Sequence, residues 1–175
     1  MALVQVIPVE AYLKSRRIYY EIAPHESTET TAAEARVLGI PPRDVLKAVL
    51  LRIDDAYALA IIPASERLDL HLLDRAAGAH VRLANEAEIQ AHFPDFELGA
   101  IPPIPGVLGV KGYVDPSVLE HDEVAFADGR RTESMIASAR ELLWGEDVIV
   151  APILRRPAPA WQFEGDSLEV TGGGW

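Results

Sequence analysis

The sequence predicts a mixed α/β (α+β) domain built on a central mixed sheet, and three observations carry that prediction. Helical and strand patterns alternate along the chain. Several neighbouring strands are joined by hairpin signals rather than by helices. The 175 residues suffice for one domain with a real core and a short tail.

The elements follow in order. Residues 9–17 (VEAYLKSRR), after Pro8, read as a helix, and 18–23 (IYYEIA), rich in aromatic and β-branched side chains, as a strand. A polar loop runs from His25 to Thr30. Thr31 is placed to cap a short helix, with Glu34 three residues on as its capping-box partner and Gly39 at its C-terminus. VLKAVLLRI at 45–53 and AYALAIIP at 57–63 are apolar runs, and Asp54-Asp55 between them signals a hairpin. Residues 68–78 read as a helix ending in Gly, 80–84 as a strand, and 85–93 as a helix capped by Asn85. Residues 98–112 hold four Gly and three Pro in fifteen positions, which neither helix nor central strand tolerates, so a loop is expected. Then come a strand (KGYVD), a turn or short helix (PSVLEH), a strand (DEVAFA), the hairpin signal Asp128-Gly129, a returning strand (RTESMIA) and a helix (SARELLWG). IVAPIL reads as a strand or an extended arm. The Pro-rich remainder carries Trp161 and Phe163, which read as a clasp on the domain's own core or as a docking pair.

Composition narrows the function classes. Apolar residues make up 49% and charged residues 25%, as in globular proteins, and no stretch is long enough to span a bilayer. The first residues lack the basic start of a signal peptide. The absence of cysteine excludes disulfides, a thiol nucleophile and cysteine-ligated zinc, and fits a cytoplasmic location. A net charge of −11 is the wrong sign for a protein that grips nucleic acid over a broad surface, so any RNA contact must be local. The basic spots are Lys14 with Arg16 and Arg17, Arg130 with Arg131, and Arg155 with Arg156, each of which alone reads as solvated surface charge.

The common catalytic motifs are absent: no phosphate-binding Gly-Lys loop, no nucleophile elbow and no zinc-binding helix motif. The five histidines lack metal-ligand spacing, so no metal is expected. Two features remain. Of 16 basic residues 13 are Arg, and one of the three Lys, Lys47, falls within a strand. Alternation puts it on the face of Val45, Val49, Leu51 and Ile53, where an ammonium needs a carboxylate, carbonyls or a bound polar ligand, or loses affinity for its proton. The structural alternatives are a side chain that reaches water along its stem, or an ion pair with a core acid. The second feature is Gly99 to Pro103. There Gly permits close backbone approach and Pro102-Pro103 stiffens the chain beyond it, an arrangement that can present N–H groups to an oxyanion or serve as a plain crossover.

These two features sit inside a longer pattern. It comprises His25, TTAAEA at 30–35, LGIPPRDVLKAVLLR at 38–52, LAIIPASERLDLHLL at 59–73, VRLANEAEI at 81–89, LGAIPPIPG at 98–106 and the run from 113 to 143. In register, these pieces strongly resemble the YbaK/EbsC family, also found as the editing insertion of bacterial prolyl-tRNA synthetases. The resemblance covers roughly residues 8–145 and implies an editing domain over 1–146 followed by a C-terminal extension over 147–175. It implies a compact fold with a central mixed sheet flanked by helices. It also implies hydrolysis of the ester joining an amino acid to the 3′-terminal adenosine of a mischarged tRNA, with no cofactor.

On the family pattern, Lys47 holds the polar end of the substrate near the ester. Gly99, Ala100, Ile101, Pro102 and Pro103 form the loop that positions the ester carbonyl, with Gly99 taking part in the chemistry. His25, Thr30 and Thr31 border the pocket, as does Ser134, whose alternative is an exposed strand serine. The cysteine-releasing branch carries a tyrosine where Ala23 stands and Gly-Gly-(Ile/Val)-Ser-Pro in the loop; the Ala-Ile-Pro-Pro sequence here is more like the alanine-type and uncharacterised branches. The implied substrate is a mischarged tRNA, most simply a tRNA-Pro carrying a small amino acid, recognised at its acceptor end. A prolyl-tRNA synthetase is a further implied partner. No membrane is involved, and the chain is expected as a monomer or homodimer. Two other readings stand beside this one: a silent aminoacyl- or adenosine-binding module attached to a synthetase or regulatory partner, and a hydrolase of some other small ester or amide.

Overall fold

The computed structural model describes residues 8–157, so Trp161 and Phe163 lie outside the described residues. The first helix, α1 (Val9–Ser15), is shorter than the sequence suggests. Arg17 takes a left-handed φ of 58°, and the Ile18 N–H turns back to the Leu13 carbonyl at 3.0 Å, so the chain breaks before β1 (Tyr20–Pro24) begins.

Helix α2 (Thr31–Leu38) is capped by Thr30, not by Thr31: the Thr30 hydroxyl accepts from the Ala33 N–H. The expected capping box does not form. Glu34 turns inward to Ser134, a stronger claim on a carboxyl group than an exposed backbone N–H at the helix start. Gly39 ends the helix in the left-handed conformation, as expected.

β2 (Leu46–Ile53) and β3 (Ala56–Pro63) form the antiparallel hairpin, with Asp54 at a φ of 52° in its turn. α3 (Leu70–Ala77) is capped by Asp69. β4 (Val81–Leu83) follows, and then α4 (Glu86–His92), where Asn85 and Glu88 form a complete capping box. The Gly- and Pro-rich segment is not wholly loop. It contains one helical turn, α5 (Pro105–Leu108), which Pro105 can start because its missing N–H would be unpaired there, and which Gly109 closes at a φ of 69°. β5 (Lys111–Val114), β6 (Glu123–Ala127), β7 (Glu133–Ser138), α6 (Ala139–Leu143) and β8 (Val148–Val150) complete the described chain.

The strands make two sheets. The larger, ordered β4-β2-β3-β5-β8, is mixed: β2 pairs antiparallel with both β3 and β4, while β5 runs parallel to β3 and to β8. The smaller, β1-β7-β6, is antiparallel, and its β6–β7 hairpin turns through Asp128-Gly129. A single parallel bridge, Val45 to Ala125, ties the two together. Even-numbered residues of β2 (Leu46, Leu50) enter the main core with Leu59, Phe93, Ile104 and Phe126; odd-numbered ones (Val49, Leu51, Ile53) pack on the other face with Leu73, Val81 and Ile153.

Residues beyond 146 take part in this packing. β8 extends the large sheet, Ile153 is fully buried, and its N–H donates to the buried Asp115 carboxylate at 3.0 Å. Asp115 also accepts from the Ser117 N–H and hydroxyl. A bridge between Leu68 and Leu154 closes the segment against the start of α3.

Candidate active site

β4 pairs only with Leu51, Arg52 and Ile53, so between that pairing and the Val45–Ala125 bridge the first half of β2 has no paired strand on that edge. The Val45 carbonyl accepts from the Ala64 N–H at 2.8 Å, which sets the alternation of the ladder: Lys47 and Val49 bond toward β3, and Ala48 turns its peptide groups toward the open edge. A cavity of about 310 Å³ occupies this edge. Leu46 to Leu50 form one wall, Glu29, Thr30 and Thr31 at the start of α2 another, and Gly99 and Ile101 a third. Leu83, Ala84, Ile89 and Ala127 close it with apolar surface.

Lys47 stands at the start of β2, half-buried, and its Nζ donates to the Glu66 carbonyl at 3.0 Å. Of the partners the sequence leaves open, a carbonyl is the one found; among the described residues no carboxylate forms an ion pair with it. Burial lowers the ammonium's pKa below the ordinary lysine value, the charge of Arg67 lowers it further, and the Glu66 carboxylate works the other way. Lys47 thus lines a mostly apolar cavity, and its ammonium is held by one carbonyl and able to donate two further hydrogen bonds.

Gly99 has a φ of 82°, and a Cβ there would lie 2.5 Å from the Glu29 carbonyl oxygen. Only glycine lets the loop lie this close to the segment that starts α2. The Ala100 N–H is already spent on the Glu97 carbonyl at 3.0 Å. The N–H groups of Gly99 and Ile101, residues that line the cavity, have no hydrogen-bond partner among the described residues. Ala100, Pro102 and Pro103 are buried behind the loop and do not line the cavity. Their place is to hold the loop's backbone rather than to present a group.

His25 and Ser134 form a separate cluster with Glu34. The His25 Nε2 lies 2.8 Å from the Ser134 hydroxyl, which lies 2.5 Å from the Glu34 carboxyl. Ser134 is fully buried, so it is neither an exposed strand serine nor part of the cavity wall. The His25 Nδ1 sits 2.7 Å from the Glu26 carbonyl, which can only accept, so Nδ1 carries a proton. Ser134 has one proton to give. It goes to the Glu34 carboxyl group. Burial raises the Glu34 pKa above the ordinary carboxyl value, against the opposing effects of the Ser134 hydrogen bond and the His25 charge.

Sequence reasoning overlooked two residues. Glu29 lines the cavity and contributes the carbonyl against which Gly99 lies; nothing in a loop glutamate announces this. Glu34 gave a signal, but the signal read as a capping box. Of the basic spots, Arg16 pairs with Glu146, and Arg130 pairs with Asp128 and Glu133 at 2.9 and 2.7 Å. Among the described residues no cluster of His, Cys, Asp and Glu is arranged to hold a metal, and no helix is long and apolar enough to cross a membrane.

Comparison with known proteins agrees with this architecture. The family model for the aminoacyl-tRNA editing domain matches residues 25–143. No curated protein is significantly similar to the chain. Among solved structures, a hypothetical protein superimposes with a TM-score of 0.76 at 25% identity, over 85% of this chain and 100% of that one. A proposed trans-editing enzyme for prolyl-tRNA synthetase superimposes with a TM-score of 0.73 at 24% identity, over 85% and 96%. A proposed signal transduction protein from Marinobacter aquaeolei VT8 shares the fold over 30% of its length, with a TM-score of 0.62 at 21% identity over 82% of this chain. The family model spans well over half of the chain and takes in both Lys47 and the Gly99 loop, and the chain therefore belongs to the aminoacyl-tRNA editing domain family.

Proposed function

We propose that this protein is a trans-acting hydrolase that removes wrongly attached amino acids from tRNA, acting in the cytoplasm on the acceptor end of a mischarged tRNA-Pro that carries a small amino acid. The observation that carries the reading is the meeting of Lys47 with Gly99 and Ile101 around one cavity. An aminoacyl ester is already activated, so positioning and carbonyl polarisation supply most of what its hydrolysis requires. Water adds to the ester carbonyl carbon, and negative charge grows on the carbonyl oxygen. The Lys47 ammonium and the unpaired N–H groups of Gly99 and Ile101 are the donors at hand for that charge. The bond from carbon to the ribose 3′ oxygen then breaks, the proton lost by water ends on that oxygen, and the products are the free amino acid and uncharged tRNA.

The walls of Leu50, Leu83, Ile89, Ile101 and Ala127 suit an apolar side chain, and a cavity of about 310 Å³ that must also admit the ester and part of the ribose leaves room for a small one. Apolar contact discriminates weakly, at ~1–3 kcal/mol per methylene, so several small amino acids are expected as substrates, with rates graded by size. A prolyl-tRNA synthetase is the partner this substrate implies.

Hydrolysis of alanyl-tRNA should be compared with hydrolysis of a simple alanine ester. Preference for the tRNA supports the reading. Equal rates point to a general small-ester hydrolase. Binding of the aminoacyl end without release points to a silent binding module.

A further inference from the structure

The bridge between Leu68 and Leu154 fixes the side chains around it. Leu68 and Leu154 pack onto the inner cluster with Leu73 and Ile153. Their neighbours Arg67 and Arg155 stand directly opposite one another, with the Arg155 N–H donating to the Arg67 carbonyl at 2.8 Å, and both residues are exposed. Two like charges facing each other across a strand pair are destabilising unless something shares them. Among the described residues neither arginine forms an ion pair with a carboxylate. In a chain of net charge −11 this is, among the described residues, a cationic spot without a carboxylate partner.

Its position is as informative as its charge. Arg67 directly follows Glu66, whose carbonyl holds Lys47, and the Arg67 charge is felt at the Lys47 ammonium. Arg156 and Arg75 line the adjoining cleft between α3 and residues 151–156, together with Asp69, whose carboxylate is occupied in capping α3. Arg155 and Arg156 also lie beyond residue 143, outside the segment matched by the family model.

We propose that Arg67 and Arg155 form a phosphate clamp for the RNA backbone next to the acceptor end, the local basic contact that an acidic RNA-directed enzyme needs. This inference rests on the proposed function for its choice of RNA over other anions. Two guanidiniums on one face suit a phosphodiester, which accepts paired N–H donors. Such contacts position the RNA without reading its sequence.

The test uses the full chain and an uncharged acceptor-stem RNA minihelix, so that it does not depend on catalysis. Binding is measured against salt concentration for wild type, Arg67→Gln/Arg155→Gln, and Arg36→Gln, an exposed arginine on α2 that serves as a control of equal charge per site. The clamp predicts at least about tenfold weaker binding in the double variant, a salt dependence shallower by roughly 1.8 in logarithmic slope for the two lost phosphate contacts, and little change for Arg36→Gln. Equal binding by wild type and the double variant overturns the clamp, as does an equal loss with Arg36→Gln. Deacylation of aminoacyl-tRNA by wild type is read separately: turnover with unaltered RNA binding in the double variant sinks the clamp and keeps the enzyme, while clamp-dependent binding without turnover keeps the clamp and sinks the enzyme.

Discussion

A Cβ on Gly99 would sit 2.5 Å from the carbonyl oxygen of Glu29, so the loop bearing the unpaired N–H groups and the segment that starts α2 are in van der Waals contact through a missing side chain. Gly99→Ala must therefore move one of them. Its left-handed φ adds a penalty of roughly 1–2 kcal/mol for any residue with a Cβ. A displacement of about 1 Å in a positioning element costs on the order of 100-fold in rate. The expected outcome is a folded protein with a kcat/KM for aminoacyl-tRNA lowered at least that much, checked by single-turnover deacylation alongside thermal unfolding.

The Lys47 ammonium has its pKa lowered, chiefly by burial. If the charged form works in the reaction, activity fails as that proton leaves. The alkaline limb of kcat/KM should then fall at a pH below the value of about 10.4 typical of a free lysine. Measurement of kcat/KM from neutral pH upward on a substrate corrected for spontaneous hydrolysis checks this. A limb at or above the free-lysine value contradicts it.

Glu34 is buried and its pKa is raised by that burial. A carboxyl group with a raised native pKa contributes stability that is fully present below its unfolded value and is lost as pH rises through its native value. Glu34→Gln keeps an acceptor and a donor for Ser134 but has no proton to lose. The two proteins should unfold at similar temperatures near pH 4, and the variant should become the more stable as pH rises toward 7. A Tm difference that stays constant over that range would show that the Glu34 proton plays no part.

Ile153 lies past the end of the family match yet is fully buried, on a segment tied to Asp115. Ile153→Ala should cost about 2–5 kcal/mol in chemical denaturation, as large-to-small core substitutions do. Val150→Ala, on the exposed face of β8, should stay within about 0.5 kcal/mol.

Local chemistry made much of this molecule legible before its structure. The Asn85 cap and the helix-ending Gly39 and Gly78 are signals that act within a few residues, and each forms as expected. The strand alternation that singled out Lys47 is equally local. The features that stayed hidden depend on distant contacts. Glu34 left its capping-box role for Ser134, one hundred residues away in sequence, and the Thr30 cap shifted the helix start with it. The open edge of β2 exists because β4 is only three residues long, a boundary that propensity does not resolve. The turn at Pro105–Leu108 escaped notice because Gly and Pro mark loops, although Pro at a first helical position and Gly at the end are also how a single turn is built.

The central claim is that Lys47 and the Gly99 loop hydrolyse the ester of a mischarged tRNA. It is tested most directly by single-turnover deacylation of alanyl-, cysteinyl-, seryl- and threonyl-tRNA by wild type, Lys47→Ala and Lys47→Arg, with folding confirmed for each. The account predicts rapid release of at least one small amino acid by wild type, a loss of at least about 100-fold in Lys47→Ala, and little rescue by the bulkier, planar arginine. Wild-type release that survives in Lys47→Ala, or no release from any of the four by folded wild type, would contradict it.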